Sequence, residues 1–166
     1  MTSQIQEKNQ TGLIIKNYES HNIYPLLPLL SQEFPNWTID KIKNYVKLVT
    51  SKNKEVAGIL VAQNDALYNV GMLIYTLQTV TSGLFGNSKK NKFANGIVVE
   101  NLNASSPILQ KQVFFLLIDE IIQLAISNKY EFVELPRFDE CYELIKKKYE
   151  SKISNINNFR IFIKLN

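Results

Sequence analysis

The stretch of sequence that decides the fold is GIVVENLNASSPILQKQVFFLLIDEIIQLAISN, residues 96–128. Its β-branched start predicts a strand over 93–100, and the polar residues 101–107 predict a loop. Ser106 followed by Pro107 is typical of a helix start, because a hydroxyl can cap free N–H groups and proline has no N–H to satisfy. Apart from one narrow polar stripe, nearly all the residues that follow are Ile, Leu, Phe or Val, which predicts a helix mostly buried against a sheet.

Outward from this stretch, hydrophobic periodicity predicts the order β-α-α-β-β-β-α-β-α-β. The predicted strands are 13–18, 56–62, 70–80, 93–100, 130–135 and 159–165, and the predicted helices are 23–34, 39–49, 107–128 and 139–151. Thr38 is the predicted N-cap of the second helix, 155–158 a turn, and 81–92 a polar, basic loop. The mixed order predicts an α/β fold with a mixed, mostly antiparallel sheet flanked by helices. We expect a single domain over 1–166, with residues 1–11 flexible.

Composition excludes several classes of protein. The chain has 166 residues, 45% hydrophobic and 20% charged, which is enough to bury a core in one domain. A single cysteine, Cys141, and a single histidine, His21, exclude an internal disulfide and a Cys/His zinc site, and we expect no metal. The N-terminus lacks the pattern of a signal peptide, and acidic residues interrupt the longest apolar stretch. We therefore expect a cytoplasmic protein without membrane insertion.

The order of elements and four local stretches resemble the GNAT superfamily of N-acetyltransferases over nearly the whole chain. Phe34-Pro35-Asn36-Trp37 resembles the joint between that family's first two helices. Residues 55–65 followed by 70–75 resemble its central hairpin, with a Val-Gly start to the second strand. Ile97-Val98-Val99 resembles the strand before the cofactor loop, and 118–135 the helix and strand that come after it.

This resemblance implies a GNAT-like fold and acetyl-CoA, or another acyl-CoA, as the cofactor. It implies that the pantetheine arm lies along Ile97, Val98 and Val99, at a splay between neighbouring strands. It also implies that the pyrophosphate sits on the following loop and helix start, where N–H groups and the helix dipole favour an anion. The candidate phosphate contacts are Ser105, Ser106, Gln110, Lys111 and Gln112.

The cofactor loop departs from the family pattern. The family carries glycines there, whereas no glycine occurs from Asn101 to the C-terminus. Val113 or Phe114 would project a side chain where the family leaves space for phosphate oxygens, and the loop between Glu100 and Pro107 is longer than the family's. Ser106 has a simpler role as the helix cap, which we favour. The cofactor site is therefore either remodelled or lost, and no cofactor is the second possibility.

Acetyl transfer needs a base for the ammonium proton and an acid for the leaving thiolate. Glu100, at the end of the cofactor strand, is the best-placed base, although a solvated strand-end charge is the more common role for such a residue. Tyr142 and Tyr149 are the candidate acids, and each also fits a packing role. Trp37 is the candidate residue on the acceptor side, against a default of core packing.

Two main functions follow from these residues. The first is an acyl-CoA-dependent N-acyltransferase acting on a small amine, a protein N-terminus or a lysine. The second is a catalytically inactive GNAT-fold protein that serves as a protein-binding or scaffolding subunit. A third candidate is a basic RNA-associated domain, but a net charge of +4 argues against a nucleic-acid partner. The sequence leaves the oligomeric state open, although the strand 159–165 could pair across a dimer.

Overall fold

The computed structural model describes residues 12–51, 57–81, 93–156 and 160–165. The strands are β1 Ile14–Asn17, β2 Ala57–Gln63, β3 Asn69–Thr81, β4 Phe93–Ala104, β5 Phe132–Pro136, β6 Ile153–Ile156 and β7 Arg160–Lys164. The α-helices are α1 Leu27–Glu33, α2 Ile39–Ser51, α3 Pro107–Ser127 and α4 Tyr142–Tyr149, with 3₁₀ turns at Tyr24–Leu26 and Glu150–Lys152. Among the described residues, no helix combines the length and apolarity that crossing a membrane requires.

The strands form one seven-stranded sheet in the order β1-β2-β3-β4-β5-β7-β6. Every neighbouring pair is antiparallel except β4 and β5, which run parallel because α3 connects them by a crossover. The predicted α/β class, with a mostly antiparallel sheet between helices, is therefore confirmed.

One face of the sheet packs against α3 and α4. The largest core cluster lies there and includes the α3 residues Val113, Leu117 and Ile121, each fully buried. Gly71 of β3 makes this close packing possible, because a Cβ at that position would lie 2.0 Å from a methyl carbon of Val113. The buried α3 predicted from its apolar sequence is thus confirmed.

The other face packs against α1 and α2 only over the first strands. A second cluster joins these helices to β2 and β3. Two asparagines of β4 fasten α1 to the sheet: Asn103 Nδ2 donates to the Leu29 carbonyl at 2.8 Å, and Asn101 Nδ2 donates to Glu33 Oε1 at 2.6 Å. Over β4, β5 and β7 the same face carries a smaller cluster built from Ala94, Val98 and Phe132, with Val80 and Phe162 against it.

Three predicted boundaries are wrong. β4 continues to Ala104, because Asn101 to Ala104 pair with Gly71 to Ile74 of β3, so the loop predicted over 101–107 shrinks to Ser105 and Ser106. The connection is therefore short rather than long. The C-terminal region contains an additional strand, β6, which pairs with β7 and includes residues 155 and 156 of the turn predicted at 155–158, whereas residues 157 and 158 lie outside the described residues. The last helix begins at Tyr142 rather than 139. Residues 1–11 and most of the predicted loop 81–92 lie outside the described residues.

Candidate functional site

The parallel ladder between β4 and β5 is short, and it ends inside the sheet. Its pairs are Gly96 with Phe132, Ile97 with Val133, and Val98 with Glu134. Beyond Val98, β4 continues beside β3 while β5 continues beside β7. The predicted pantetheine strand, Ile97 to Val99, therefore straddles the point where the two halves of the sheet part.

A β-bulge lies at this point on β4. Tyr75 of β3 pairs with Val99 and Ile74 pairs with Asn101, so Glu100 is the extra residue without a partner on β3. The Glu100 side chain is exposed, and its Oε1 accepts hydrogen bonds from Thr76 Oγ1 at 2.9 Å and from Gln78 Nε2 at 3.5 Å. The predicted base therefore lies two residues past the last β4–β5 pair, and the contact to Thr76 of β3 orients its carboxylate.

An acidic and aromatic surface borders Glu100 on the side of α1 and α2. Burial raises the pKa of Tyr45, and the negative charges of Glu100 and Glu33 raise it further, which places all three side chains in one neighbourhood. Trp37 stacks on Phe34 with ring centroids 4.3 Å apart, and its ring meets Tyr45 edge-on at 5.6 Å. The structure thus brings the predicted acceptor-side residue Trp37 to the same side of the sheet as the predicted base.

Arg160, the first residue of β7, lies on the same sheet face and bridges the two separated strands. Its Nε donates to Glu134 Oε1 of β5 at 2.7 Å. Its Nη2 donates to the backbone carbonyl of Val99 on β4 at 2.9 Å. The side chains of Arg160 and Glu134 are 27% and 28% exposed, so water screens this ion pair only in part. One guanidinium therefore spans the opening.

The predicted phosphate-binding residues lie at the start of α3. Ser106 occupies the predicted N-cap position in extended conformation, but its side chain makes no capping hydrogen bond. The backbone N–H of Ser105 donates to the Val70 carbonyl at 2.9 Å. Gln110, Lys111 and Gln112 all fall inside α3, where backbone N–H groups from Gln110 onward serve the helix itself. An anion at this position could therefore be bound only by side chains and by the free backbone N–H groups in the first turn of α3.

Val113 and Phe114 do not project towards that first turn. Both are buried in the core beneath α3, at 0% and 5% exposure. The part of the predicted site that would hold a phosphate therefore has no glycine-lined cradle, whereas the opening beside Val99 presents a strand edge that suits an extended chain with amide groups. The residues present fit one half of a coenzyme A molecule better than the other.

The two candidate acids lie in different surroundings. Tyr149 is buried between α3 and α4, where its hydroxyl donates to Asp119 Oδ1 and accepts from Gln123 Nε2. Burial and the bond to Asp119 raise the pKa of Tyr149. Tyr142 is half-buried, meets the ring of Phe138 edge-on, and lines a pocket of about 130 Å³ with Arg137, Phe138, Asp139 and Ile161. Only Tyr142 faces an open space.

Cys141 precedes α4 and lies near the start of α3. Burial raises its pKa to about 12, Glu140 adds to the rise, and the positive charge of Lys111 opposes it. Lys111 is therefore close enough to Cys141 to act on its thiol electrostatically. Since α3 follows β4, α4 follows β5 and the two strands run parallel, both helix starts lie at the carboxyl ends of β4 and β5.

This architecture matches solved acetyltransferases. NAA60 from Arabidopsis thaliana in complex with acetyl-CoA aligns with a TM-score of 0.62 and 10% identity, covering 92% of this chain and 97% of that chain. A GNAT-family acetyltransferase from Staphylococcus aureus Mu50 aligns with a TM-score of 0.57 and 10% identity over 93% of this chain and 99% of that chain. The chain has the GNAT fold. The sequence matches no family model and no curated protein.

A third solved acetyltransferase is also similar, and its name gives an aminoglycoside antibiotic as its acceptor. It is the aminoglycoside 6'-N-acetyltransferase AAC(6')-Ih from Acinetobacter baumannii, with a TM-score of 0.56 and 10% identity over 84% of this chain and 88% of that chain. At such identities the likeness shows the fold and leaves the acceptor open. The GNAT resemblance inferred from the sequence is confirmed at the level of the fold.

Sequence reasoning missed four residues around the opening: Glu33, Asn101, Glu134 and Arg160. Glu134 is the one charge in the apolar strand Phe132–Pro136, and Arg160 opens an alternating strand, so their opposite charges were visible. What pairs them is the register of β5 with β7, which no local pattern specifies.

Proposed function

We propose that the protein is an acyl-CoA-dependent N-acyltransferase acting on an amine. The observation that carries this proposal is the parting of β4 and β5 beyond Val98, directly beside the bulge at Glu100. An extended donor can pair with the edge of β4 there, and Glu100 lies two residues further along the same strand. The acyl-CoA would supply a thioester, and the chain would supply alignment and proton transfer.

Glu100 acts as the base in this proposal. An amine is protonated near neutral pH and cannot attack a carbonyl carbon until it loses a proton. The Glu100 carboxylate, oriented by Thr76, takes that proton directly or through one water molecule. Trp37, Tyr45 and Glu33 form the wall past which the amine approaches, and the two carboxylates favour an acceptor that carries positive charge.

Tyr142 is the better candidate for protonating the leaving thiolate. It faces a pocket at the start of α4, whereas the Tyr149 hydroxyl already donates its proton to Asp119. The raised pKa of Tyr149 also makes it a poorer proton donor to a thiolate. Tyr149 therefore serves in the proposal as a link between α3 and α4.

The proposed donor is acetyl-CoA or another acyl-CoA, and the proposed acceptor is a small amine, a protein N-terminus or a lysine. The donor's pantetheine would lie beside Ile97, Val98 and Val99. Its phosphates would meet the exposed or half-buried side chains Ser105, Ser106, Gln110, Lys111 and Gln112 at the start of α3. A cytoplasmic location remains part of the proposal.

Glu100→Gln tests the role of the base. The amide keeps the size of the side chain and still accepts from Thr76, but it cannot take a proton. We expect kcat to fall about 100-fold at neutral pH, at the lower end of what a general base contributes. Glu143→Gln, an exposed acid of α4, is the matched control and should leave kcat unchanged. Equal rates for both variants would show that Glu100 is a solvated charge.

A second candidate function is a GNAT-fold binding subunit without catalysis. The observation that favours it is the start of α3, where a helix of bulky residues replaces a glycine-lined loop. Thermal unfolding with added coenzyme A separates the two functions. Binding at 100 times the dissociation constant should stabilise the folded state by about 2.7 kcal/mol. No shift in melting temperature at millimolar coenzyme A, together with recovery of one stoichiometric protein partner, would favour the subunit.

A further inference from the structure

A side chain crosses the opening between β4 and β5. A strand edge inside a sheet exposes backbone groups that must find partners, and the Val99 carbonyl is the first such acceptor past the last paired residue, Val98. Its partner is the side chain of Arg160, which crosses from β7. The same guanidinium is held by Glu134, so its position is fixed at two points.

The groups in this arrangement come from three different strands: the Val99 carbonyl from β4, the Glu134 carboxylate from β5 and the Arg160 guanidinium from β7. Glu134 lies opposite Phe162 in the ladder between β5 and β7, and Arg160 lies two residues earlier on the same face as Phe162. The guanidinium of Arg160 thus reaches, on that face, the carbonyl that a pairing ligand would need. An extended ligand with amide groups requires the same β4 edge that Arg160 occupies.

We propose that Arg160 is a latch that closes the opening between β4 and β5 in the free protein and must release Val99 when an acyl donor binds. This inference rests on the proposed function, because the donor is the ligand that opens the latch. The bond to Val99 joins a cation to a neutral carbonyl, and the ion pair with Glu134 holds the arginine whether or not that bond is made. Arg160 can therefore leave the carbonyl and stay paired.

The latch predicts that Arg160 lowers the affinity for the donor. A protein whose competent state is only partly populated binds with its affinity reduced by that fraction. If the latch is shut in nine molecules of ten, Arg160→Met should bind coenzyme A about tenfold more tightly. Methionine keeps an apolar stem of similar length and removes every donor. With acetyl-CoA as variable substrate, KM should fall by the same factor while kcat stays unchanged, which a structural role would not produce.

The test is a calorimetric titration of coenzyme A into the full-length protein and its variants. Lys164→Met is the matched control, because Lys164 is an exposed cation on the same face of the same strand, and its affinity should equal that of the wild type. The double variant Glu134→Gln/Arg160→Met also removes the carboxylate that loses its ion-pair partner in Arg160→Met. It should bind coenzyme A at least as tightly as Arg160→Met. Arg160→Lys keeps the charge beside Glu134 with fewer donors and should fall between wild type and Arg160→Met, and it serves if the methionine variant does not fold.

The outcomes separate the latch from the proposed function. Tighter binding by Arg160→Met, or binding by that variant alone, supports the latch. Equal or weaker binding by a folded Arg160→Met, while the wild type binds, overturns the latch and leaves the proposed function standing. Absence of binding in the wild type and in all Arg160 variants overturns both.

Discussion

The two faces of the sheet are built differently. The face beneath α3 and α4 is one continuous apolar cluster from Leu13 to Leu165, and it contains the buried faces of both helices. The opposite face is covered by α1 and α2 over β2 and β3, and beyond them it carries the small cluster around Phe132 and polar side chains around the bulge at Glu100. The closed face holds the fold together, whereas the half-covered face is where a ligand can reach the backbone of the sheet.

The polar groups on the half-covered face are also the ones that join distant parts of the chain. Asn101 binds Glu33 of α1, Thr76 binds Glu100, and Arg160 joins β7 to β4 and β5. This comparison makes separate predictions for the two faces.

The largest expected effect is on the closed face. Leu117 of α3 is fully buried, so Leu117→Ala removes apolar contacts and leaves a cavity, and we expect it to lower the free energy of unfolding by about 2 to 5 kcal/mol. Leu144→Ala is the control, because Leu144 is 39% exposed on α4 and should cost far less. Urea unfolding followed by circular dichroism measures both. Similar losses for the two variants would show that α3 is not the main buried helix.

A smaller effect is expected at the start of α3. Because no glycine-lined loop holds the phosphates there, the adenosine diphosphate half of coenzyme A should contribute little, and pantetheine should bind within about tenfold of coenzyme A, a difference of 1.4 kcal/mol or less. Lys111→Met should narrow that difference and leave the affinity for pantetheine unchanged. Calorimetric titration of the two ligands measures the ratio. A ratio well above 100-fold would show that the first turn of α3 binds the phosphates strongly.

The closed face was the part that could be predicted from the sequence. The run from Val113 to Ala125 has few polar residues, so its burial followed from composition and period alone. Thr38 was predicted as a cap of α2, and the backbone N–H of Lys41 does donate to its hydroxyl at 3.3 Å. Such features depend on neighbours in sequence.

The half-covered face could be predicted only in part. Glu100 and Trp37 were named as candidates because they follow or precede recognisable elements, but their neighbours depend on strand register. The bulge at Glu100 shifts the pairing of β4 with β3 by one residue. Beyond the bulge the pairing continues to Ala104, so most of the predicted loop is strand. Arg160 reaches Val99 only because β7 inserts between β5 and β6, a choice of strand order that no single segment of the sequence encodes.

The smallest expected effect is on the closed face, at Tyr149 between α3 and α4. Tyr149→Phe removes the hydroxyl that binds Asp119 and Gln123, and at pH 8 we expect the free energy of unfolding to fall by about 1 kcal/mol. Because burial raises the pKa of Tyr149 above its ordinary value of 10.0, the folded state keeps the proton after the unfolded state has lost it. The stability that this hydroxyl contributes is therefore fully present below about pH 10 and is lost as the pH rises further.

The difference in the free energy of unfolding between wild type and Tyr149→Phe should accordingly shrink above pH 10 and vanish at about pH 11. Each pH unit in that range changes the free energy of unfolding of the wild type by about 1.4 kcal/mol. Urea unfolding of both proteins from pH 8 to pH 11 measures it, and the other titrating groups cancel because the two chains share them. A difference that stayed constant with pH would mean that the Tyr149 hydroxyl is solvated, and that the closed face is less tightly packed between α3 and α4 than its contacts indicate.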